Sequence, residues 1–473
     1  MHDSIKEIFQ LQIRDTVVQN SRTYQMLQTA GWAGAGQLSK TVTGFINMLL
    51  VAHLGIQTIL IVTCTFMVTL IFLAIDQQLR AVTTPLISQC TSEKKENLPK
   101  SLVVLKAQCK QTDKQTVLVQ TITVQALLFS MVFGFLVSGL ALVFPSEILQ
   151  LTGASDSVAL EGALYCQLMI GSIWLLSLSG TMEGTLQGIG HANWSSQAGI
   201  IRNGSHLLLS YGGIYFLDTG VVGVAWASIL GEIVGLIYMT YFLRKTAFQK
   251  NLTSLRPNWA VQKDVIRNAI PLMADMVFYQ MNAALLWYIL RSYGDIVFAS
   301  QRIAAEIMSV PSAIFWGFYV SVSRFVPHVY GDSEYNRVKQ YTTSMLKAGI
   351  LTACVTLSGV FLFGKQIARL FTDDQRMITT THQWIFVYVL VGVAGVIYNV
   401  AARALKGIQE NKIIMLSSFI SNLIWCISMI LAWKYMSLWA VAATYILYQS
   451  LEAAIVGWYF YSDRWIAHSK QPI

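Results

Sequence analysis

Apolar runs of about 20 residues recur along this chain from end to end, each long enough to cross a bilayer as a helix. The clearest are Gln125 to Phe144 and Val221 to Leu243, followed by Ile59 to Ile75 and by Thr41 to His53 with its extension back to Ala30. Apolar length and polar flanks predict about twelve spanning helices. They fall at 30–53, 57–89, 117–144, 157–181, 196–217 and 221–243, then at 267–291, 295–330, 341–363, 380–404, 412–434 and 437–462. The expected fold class is all-α, a polytopic membrane protein.

Composition sharpens this picture. The chain is 54% hydrophobic and 12% charged, where a soluble domain carries about 25% charged residues. A net charge of +9 follows from the positive-inside rule and gives no reason to expect nucleic acid. Lys94, Lys95, Lys100, Lys106, Lys110 and Lys114 fill one loop, and Arg244, Lys245, Lys250, Arg256, Lys263 and Arg267 another. Arg324, Arg337, Lys339 and Lys347 follow the eighth helix. These segments alternate to share one side, so both termini are expected in the cytoplasm and the protein in the cell membrane. Residues 1–29 mix charged and apolar positions with no uninterrupted apolar core, which predicts an amphipathic helix on the cytoplasmic face. Six scattered cysteines without CxxC spacing read as packing residues. Metal, triad and nucleotide-loop motifs of enzymes are missing, so no enzyme is expected.

The chain also echoes itself. Glu183-Gly184-Thr185-Leu186-Gln187-Gly188-Ile189-Gly190-His191 returns as Arg403-Ala404-Leu405-Lys406-Gly407-Ile408-Gln409-Glu410, each copy turning on glycine between two apolar segments. Ile148 and Ile367 match at the same offset as Leu186 and Leu405. Two parallel six-helix lobes follow, 30–243 and 267–462, joined by a linker at 244–266 and ending in a tail at 463–473. The first lobe carries an extra cytoplasmic segment near 103–123. Parallel repeats of this kind place a substrate cavity between the halves.

With these residues in hand the chain resembles the multidrug and toxic compound extrusion (MATE) transporters over about 30–460. The turn Leu186-Gln187-Gly188-Ile189-Gly190 and its partner Leu405-Lys406-Gly407 carry the resemblance, together with Ile270-Pro271, Ala299-Ser300-Gln301, Pro311-Ser312-Ala313 and Leu370-Phe371-Thr372-Asp373-Asp374. The resemblance implies a central V-shaped cavity and export of organic cations or drugs against proton or sodium entry. The family's coupling carboxylates fall here on Asn47, on Leu207 beside Asn203, on Tyr279 and on Gly395, so its coupling site does not carry over as it stands.

Ionisable residues inside spanning helices are costly and usually face a cavity or one another. The spans hold Asp76, Arg80, Glu183, Arg202, His206, Glu232, Asp275, Arg302, Glu306 and Glu452. Asp76 with Arg80, and Arg302 with Glu306, stand at i, i+4, as charge relays or as neutralised structural pairs. Asp275, four residues after Pro271, is either a proton-binding carboxyl or a residue wetted from the cytoplasm. His206 is either a proton carrier near neutral pH or a packed histidine. The coupling-ion candidates are therefore Asp275, His206, Asn47, Asn203, Asp76, Glu306 and Glu232. The substrate-cavity candidates are Tyr279, Gln280, Asn282, Trp287, Gln301, Tyr398 and Asn399, aromatic and polar groups able to hold a flat organic cation or, alternatively, to pack helices.

The expected function is secondary active export of amphipathic or cationic compounds by alternating access, as a proton or sodium antiporter. Arg80, Arg202 and Arg302 leave open a flippase-like exporter of a lipid-linked or anionic solute, and the missing carboxylates a non-transporting scaffold. No cofactor is expected beyond transported H+ or Na+. The expected partners are membrane lipids and a small-molecule substrate, with no nucleic acid, and the chain is expected to act as a monomer.

Overall fold

The computed structural model describes residues 2–52, 54, 56–92, 114–151, 156–248 and 257–469; the side chains of residues 2–21, of most of 70–79 with Asp76 among them, and of a few others lie outside that description. The described chain is helical throughout, without a strand. In the first lobe, α1 is His2–Ala52, α2 Ile56–Cys90, α3 Lys114–Val143, α4 Pro145–Leu151, α5 Asp156–Gly171, α6 Ile173–Gly188, α7 Ala192–Tyr215 and α8 Gly220–Thr246. In the second, α9 is Trp259–Ser292, α10 Asp295–Gly331, α11 Tyr335–Leu362, α12 Gly364–Ala368, α13 Gln375–Gly407, α14 Asn411–Tyr435, α15 Leu438–Tyr461 and α16 Arg464–Ser469. With α5 and α6 read as one span broken at Ser172, and α4, α12 and α16 as short connectors, the long helices reproduce the twelve-span layout.

Nine of these helices among the described residues are long and apolar enough to cross a membrane on length and composition. Their outer faces stay apolar: Leu208, Leu351 and Val355 are 76%, 68% and 67% exposed. Such a surface is stable only against lipid, where α-helices also satisfy every backbone polar group internally. Local chemistry fixes the ends. Asn258 accepts from the amides of Ala260 and Val261 to start α9, Asp374 accepts from Arg376 and Met377 to start α13, and Ser437 accepts from Ala440 to start α15.

The two lobes meet at the end where the basic loops collect. A Cβ on Gly317 of α10 would lie 2.0 Å from the carbonyl oxygen of Ala30 on α1, so only glycine permits this approach. Ser321 Oγ donates to the Met26 carbonyl at 2.9 Å. Ser88 donates to the Arg324 carbonyl at 2.5 Å, and Gln89 Nε2 donates to the Gly407 carbonyl at 2.8 Å. Gln409 Nε2 returns a bond to Gln89 Oε1 at 2.8 Å. The duplicated turn is the pivot of this contact. Gly188 lies against Ile87 and Thr84 of α2, Gly407 lies against Pro327 of α10, and Gly190 takes a left-handed φ of +98°.

Three expected boundaries shift. No proline interrupts residues 2–52, and α1 runs through the expected break at residue 30. Met26, expected near the membrane face, is fully buried against the second lobe. Of the extra segment near 103–123, residues 103–113 lie outside the described residues, whereas 114–123 form the first turns of α3, with Leu118 and Ile122 fully buried. The start of the tail is docked as well: Trp465 is 1% exposed and donates to the Phe460 carbonyl at 2.8 Å.

Candidate functional site

A cavity of about 940 Å³ opens within the first lobe and against α10 of the second. Its wall comes from α1, α2 and α5 to α8, with Arg302, Ile303, Glu306, Ser309 and Trp316 from α10 and Leu370 and Phe371 from the α12–α13 connection. Its floor is the closed end. Trp316, adjacent to Gly317, lies between Arg80 of the first lobe, 5.5 Å from its ring centroid, and Arg403 of the second, at 4.9 Å. At the far end, roughly 28 Å along α1 by helical rise from Met26, Phe45 meets Phe371 edge-on at 5.9 Å.

An ion network fills the wall. Glu183 Oε2 accepts from Arg80 Nη1 at 2.5 Å, and Glu183 Oε1 accepts from Arg202 Nη1 at 3.1 Å. Arg202 also reaches Glu232 Oε1 at 3.3 Å and Ser179 Oγ at 3.1 Å. Helix packing turns Arg80 toward Glu183, while the expected Asp76–Arg80 pairing falls on a side chain, Asp76, that lies outside the described residues. Arg302 and Glu306 both line the cavity, and among the described residues no ion pair within 4 Å joins them. Asn47, Asn203 and His206 line it too. Asn203 Nδ2 donates to Ser39 Oγ at 3.3 Å, while Asn47 Oδ1 and His206 Nε2 are buried without a hydrogen-bond partner among the described residues.

The second lobe holds a different cluster. Asp275, 9% exposed, and Glu452, 2% exposed, share one hydroxyl. Ser418 Oγ lies 2.5 Å from Asp275 Oδ1 and 3.1 Å from Glu452 Oε1. A hydroxyl has a single hydrogen to donate, so both contacts are hydrogen bonds only if one carboxyl carries a proton. Lys406 Nζ lies 3.9 Å from Asp275 Oδ2. Lys406 thus stands on the Asp275 side of the pair, and among the described residues no cation lies within 4 Å of Glu452. Trp425 stacks on Tyr448 at 4.6 Å and on Tyr445 at 5.3 Å to close the cluster from outside.

The seven expected substrate-cavity residues all lie in the second lobe, and none lines the cavity described above. Asn282 is buried and donates to the Asn422 side chain, Gln301 donates to the Tyr388 hydroxyl at 2.7 Å, and Asn399 donates to its own helix at Gly395. Tyr398 neighbours Asp275 and Glu452. Tyr279 is partly exposed, and Gln280 and Trp287 are half-buried on α9. Asn282 is tied to α14 and Gln301 to α13, so these two side chains serve helix packing in the second lobe. Two contributors were missed. Lys40 lies inside the first predicted span and lines the cavity, and its position alone was signal enough. Ser418 gave no signal, because a serine in a spanning helix is unremarked until two carboxyls converge on it.

Comparison with known proteins agrees with this architecture. The MatE family profile matches residues 112–212 and 271–432. Among relatives, a probable multidrug resistance protein NorM of Thermotoga maritima is 24% identical over 245 residues, which cover 50% of each chain. The multidrug export protein MepA of Staphylococcus aureus is 23% identical over 248 residues, 52% of this chain and 54% of its own. The chain thus aligns with about half the length of these relatives. The solved structure of a multidrug resistance MATE family transporter of the MOP superfamily in an outward-facing conformation superposes with a TM-score of 0.83 at 17% identity, covering 95% of this chain and 97% of its own.

Proposed function

The chain belongs to the MatE family of multi-pass membrane transporters, and from that premise we propose that it is a secondary active exporter of amphipathic organic compounds, working by alternating access in the cell membrane. The observation that carries this reading is the cavity of about 940 Å³ in the first lobe, facing α10 of the second, closed at one end where Gly317, Ser321, Gln89 and Gly407 join the lobes. With the basic loops in the cytoplasm, the closed end faces inward, and the cavity is reached from outside past Phe45 and Phe371. The exporter acts as a monomer in this reading, and both termini are cytoplasmic.

The proposed coupling ion is the proton. The Asp275–Ser418–Glu452 arrangement supports it, because a shared hydroxyl with one protonated carboxyl binds and releases a proton without a vacant cation cage. Deprotonating Glu452 would place two charged carboxylates on one serine with only Lys406 to offset them. That state favours rearrangement of α9, α14 and α15, the helices that hold the three side chains.

The test is flux in proteoliposomes holding the full chain, with rhodamine 6G, a neutral dye and an anionic dye as probes. A pH gradient should drive at least one dye, a protonophore should abolish that flux, and Glu452→Gln should uncouple it. Flux driven by a sodium gradient alone rejects the proton, and no gradient-dependent flux of any dye rejects the exporter.

A further inference from the structure

We infer that the cavity selects a substrate with an anionic group, a carboxylate or phosphate on an apolar body, and that Lys40 meets that group. The inference rests on the exporter reading for transport but not for binding.

The reason is a charge imbalance in the wall. Lys40 on α1, Arg80 on α2 and Arg202 on α7 surround two carboxylates, Glu183 on α6 and Glu232 on α8. Glu183 is engaged at both oxygens, by Arg80 and by Arg202, and Glu232 is engaged by Arg202. Among the described residues the two arginines are thereby matched by the two glutamates, and Lys40 is left over. It is exposed to the cavity, and among the described residues no carboxylate lies within 4 Å of it. A cation among apolar helices calls for a counter-ion, and the open side of this one is the cavity.

The opposite wall does not reverse the balance. Arg302 and Glu306 both line it one helical turn apart, so their charges offset locally. His206 on α7 lines the cavity from the same wall as Lys40 and adds no carboxylate to it. An organic cation would instead meet Lys40 and Arg302 with Glu306 as the one lining glutamate outside an ion pair. Phe45, Phe66, Trp316 and Phe371 provide apolar surface for the rest of the molecule.

The test compares one aromatic body with opposite charges. Binding of pyrene-1-butyrate and of 1-pyrenemethylammonium is measured by fluorescence on the full chain in detergent. The carboxylate should bind roughly tenfold more tightly or better, in line with the discrimination that charge complementarity gives. The preference should vanish in Lys40→Gln and persist in Lys40→Arg. Equal or tighter binding of the ammonium, or binding of neither probe, overturns the inference, and this wild-type comparison needs no variant to fold. A preference that survives Lys40→Gln in a normally folded protein removes Lys40 from the site and overturns the inference as stated. Competition by dihexanoyl phosphatidylglycerol against dihexanoyl phosphatidylcholine identifies the source. Displacement by the phosphatidylglycerol alone indicates a lipid phosphate, and displacement by neither indicates a soluble amphiphile; both are consistent with an anion site. Gradient-driven flux of the ammonium alone leaves the exporter standing and rejects the anion. Carboxylate binding with no gradient-driven flux of either probe does the reverse.

Discussion

Each lobe places a buried glutamate on its last spanning helix, and the two are held in opposite ways. Glu232 on α8, 6% exposed, accepts from Arg202, which also holds Glu183. Glu452 on α15, 2% exposed, has no arginine within ion-pairing distance among the described residues and shares Ser418 with Asp275. Among the described residues of its cavity wall, the first lobe therefore balances Glu183 and Glu232 with two arginines and has Lys40 to spare. The second holds two acids against one lysine behind a stack of aromatic rings. The duplicated scaffold thus carries a cation-rich wall in one lobe and an acid-rich core in the other, a division that fits the proposed substrate contact and the proposed proton site.

The largest expected effect tests that contrast directly. Glu183→Gln leaves Arg80 and Arg202 without their shared carboxylate, and breaking a buried pair of this kind costs about 3–5 kcal/mol. Glu452→Gln keeps a donor where the proposed protonated carboxyl stands, so its cost should stay within about 1 kcal/mol, the scale of one hydrogen bond. Thermal unfolding of both variants in detergent decides the matter. If Glu452→Gln is as damaging as Glu183→Gln, Glu452 is ionised in the resting protein and the contrast between lobes fails.

The next effect concerns the contact that lets the lobes face each other. Gly317→Ala puts a methyl group where the Ala30 carbonyl sits, and overpacking of this kind costs about 1–3 kcal/mol. That cost falls on the closed arrangement of the basic-loop end. A reporter Ser321→Cys, buried there in the parent, should label faster with a membrane-impermeant maleimide once Gly317→Ala is added. Unchanged labelling means that the helices shift without opening.

The smallest effect belongs to the bridge between the lobes. Trp316→Leu removes the ring shared by Arg80 and Arg403, each contact worth about 0.5–2 kcal/mol by its exposure. The expected result is a modest fall in melting temperature with the Glu183 network intact. A fall as large as that of Glu183→Gln would make Trp316 part of the ion network, not a neighbour of it.

Apolar run length determined the twelve spans, because crossing a bilayer demands a continuous apolar helix whatever its neighbours are. Lysine and arginine placement separated the basic-loop end from the opposite end. The glycine turn at Gly188 and Gly407 disclosed the duplication, since the same backbone approach is needed in each lobe and a side chain there would collide with α2 or α10. These are local properties, readable along the chain. Partnership among the charges was not. Spacing offered Arg80 only its helical neighbour Asp76, whose side chain lies outside the described residues, and gave no sign of Glu183, 103 residues away, which Arg80 meets in the folded protein. Asp275 looked solitary, yet α14 brings Ser418 and α13 brings Lys406 to it. Lys40 was passed over, although among the described residues of the network it is the cation without a carboxylate within 4 Å. The rotation of each helix about its axis decides which side chains converge, and that rotation is set by packing against helices distant in sequence, so only the tertiary structure determines it.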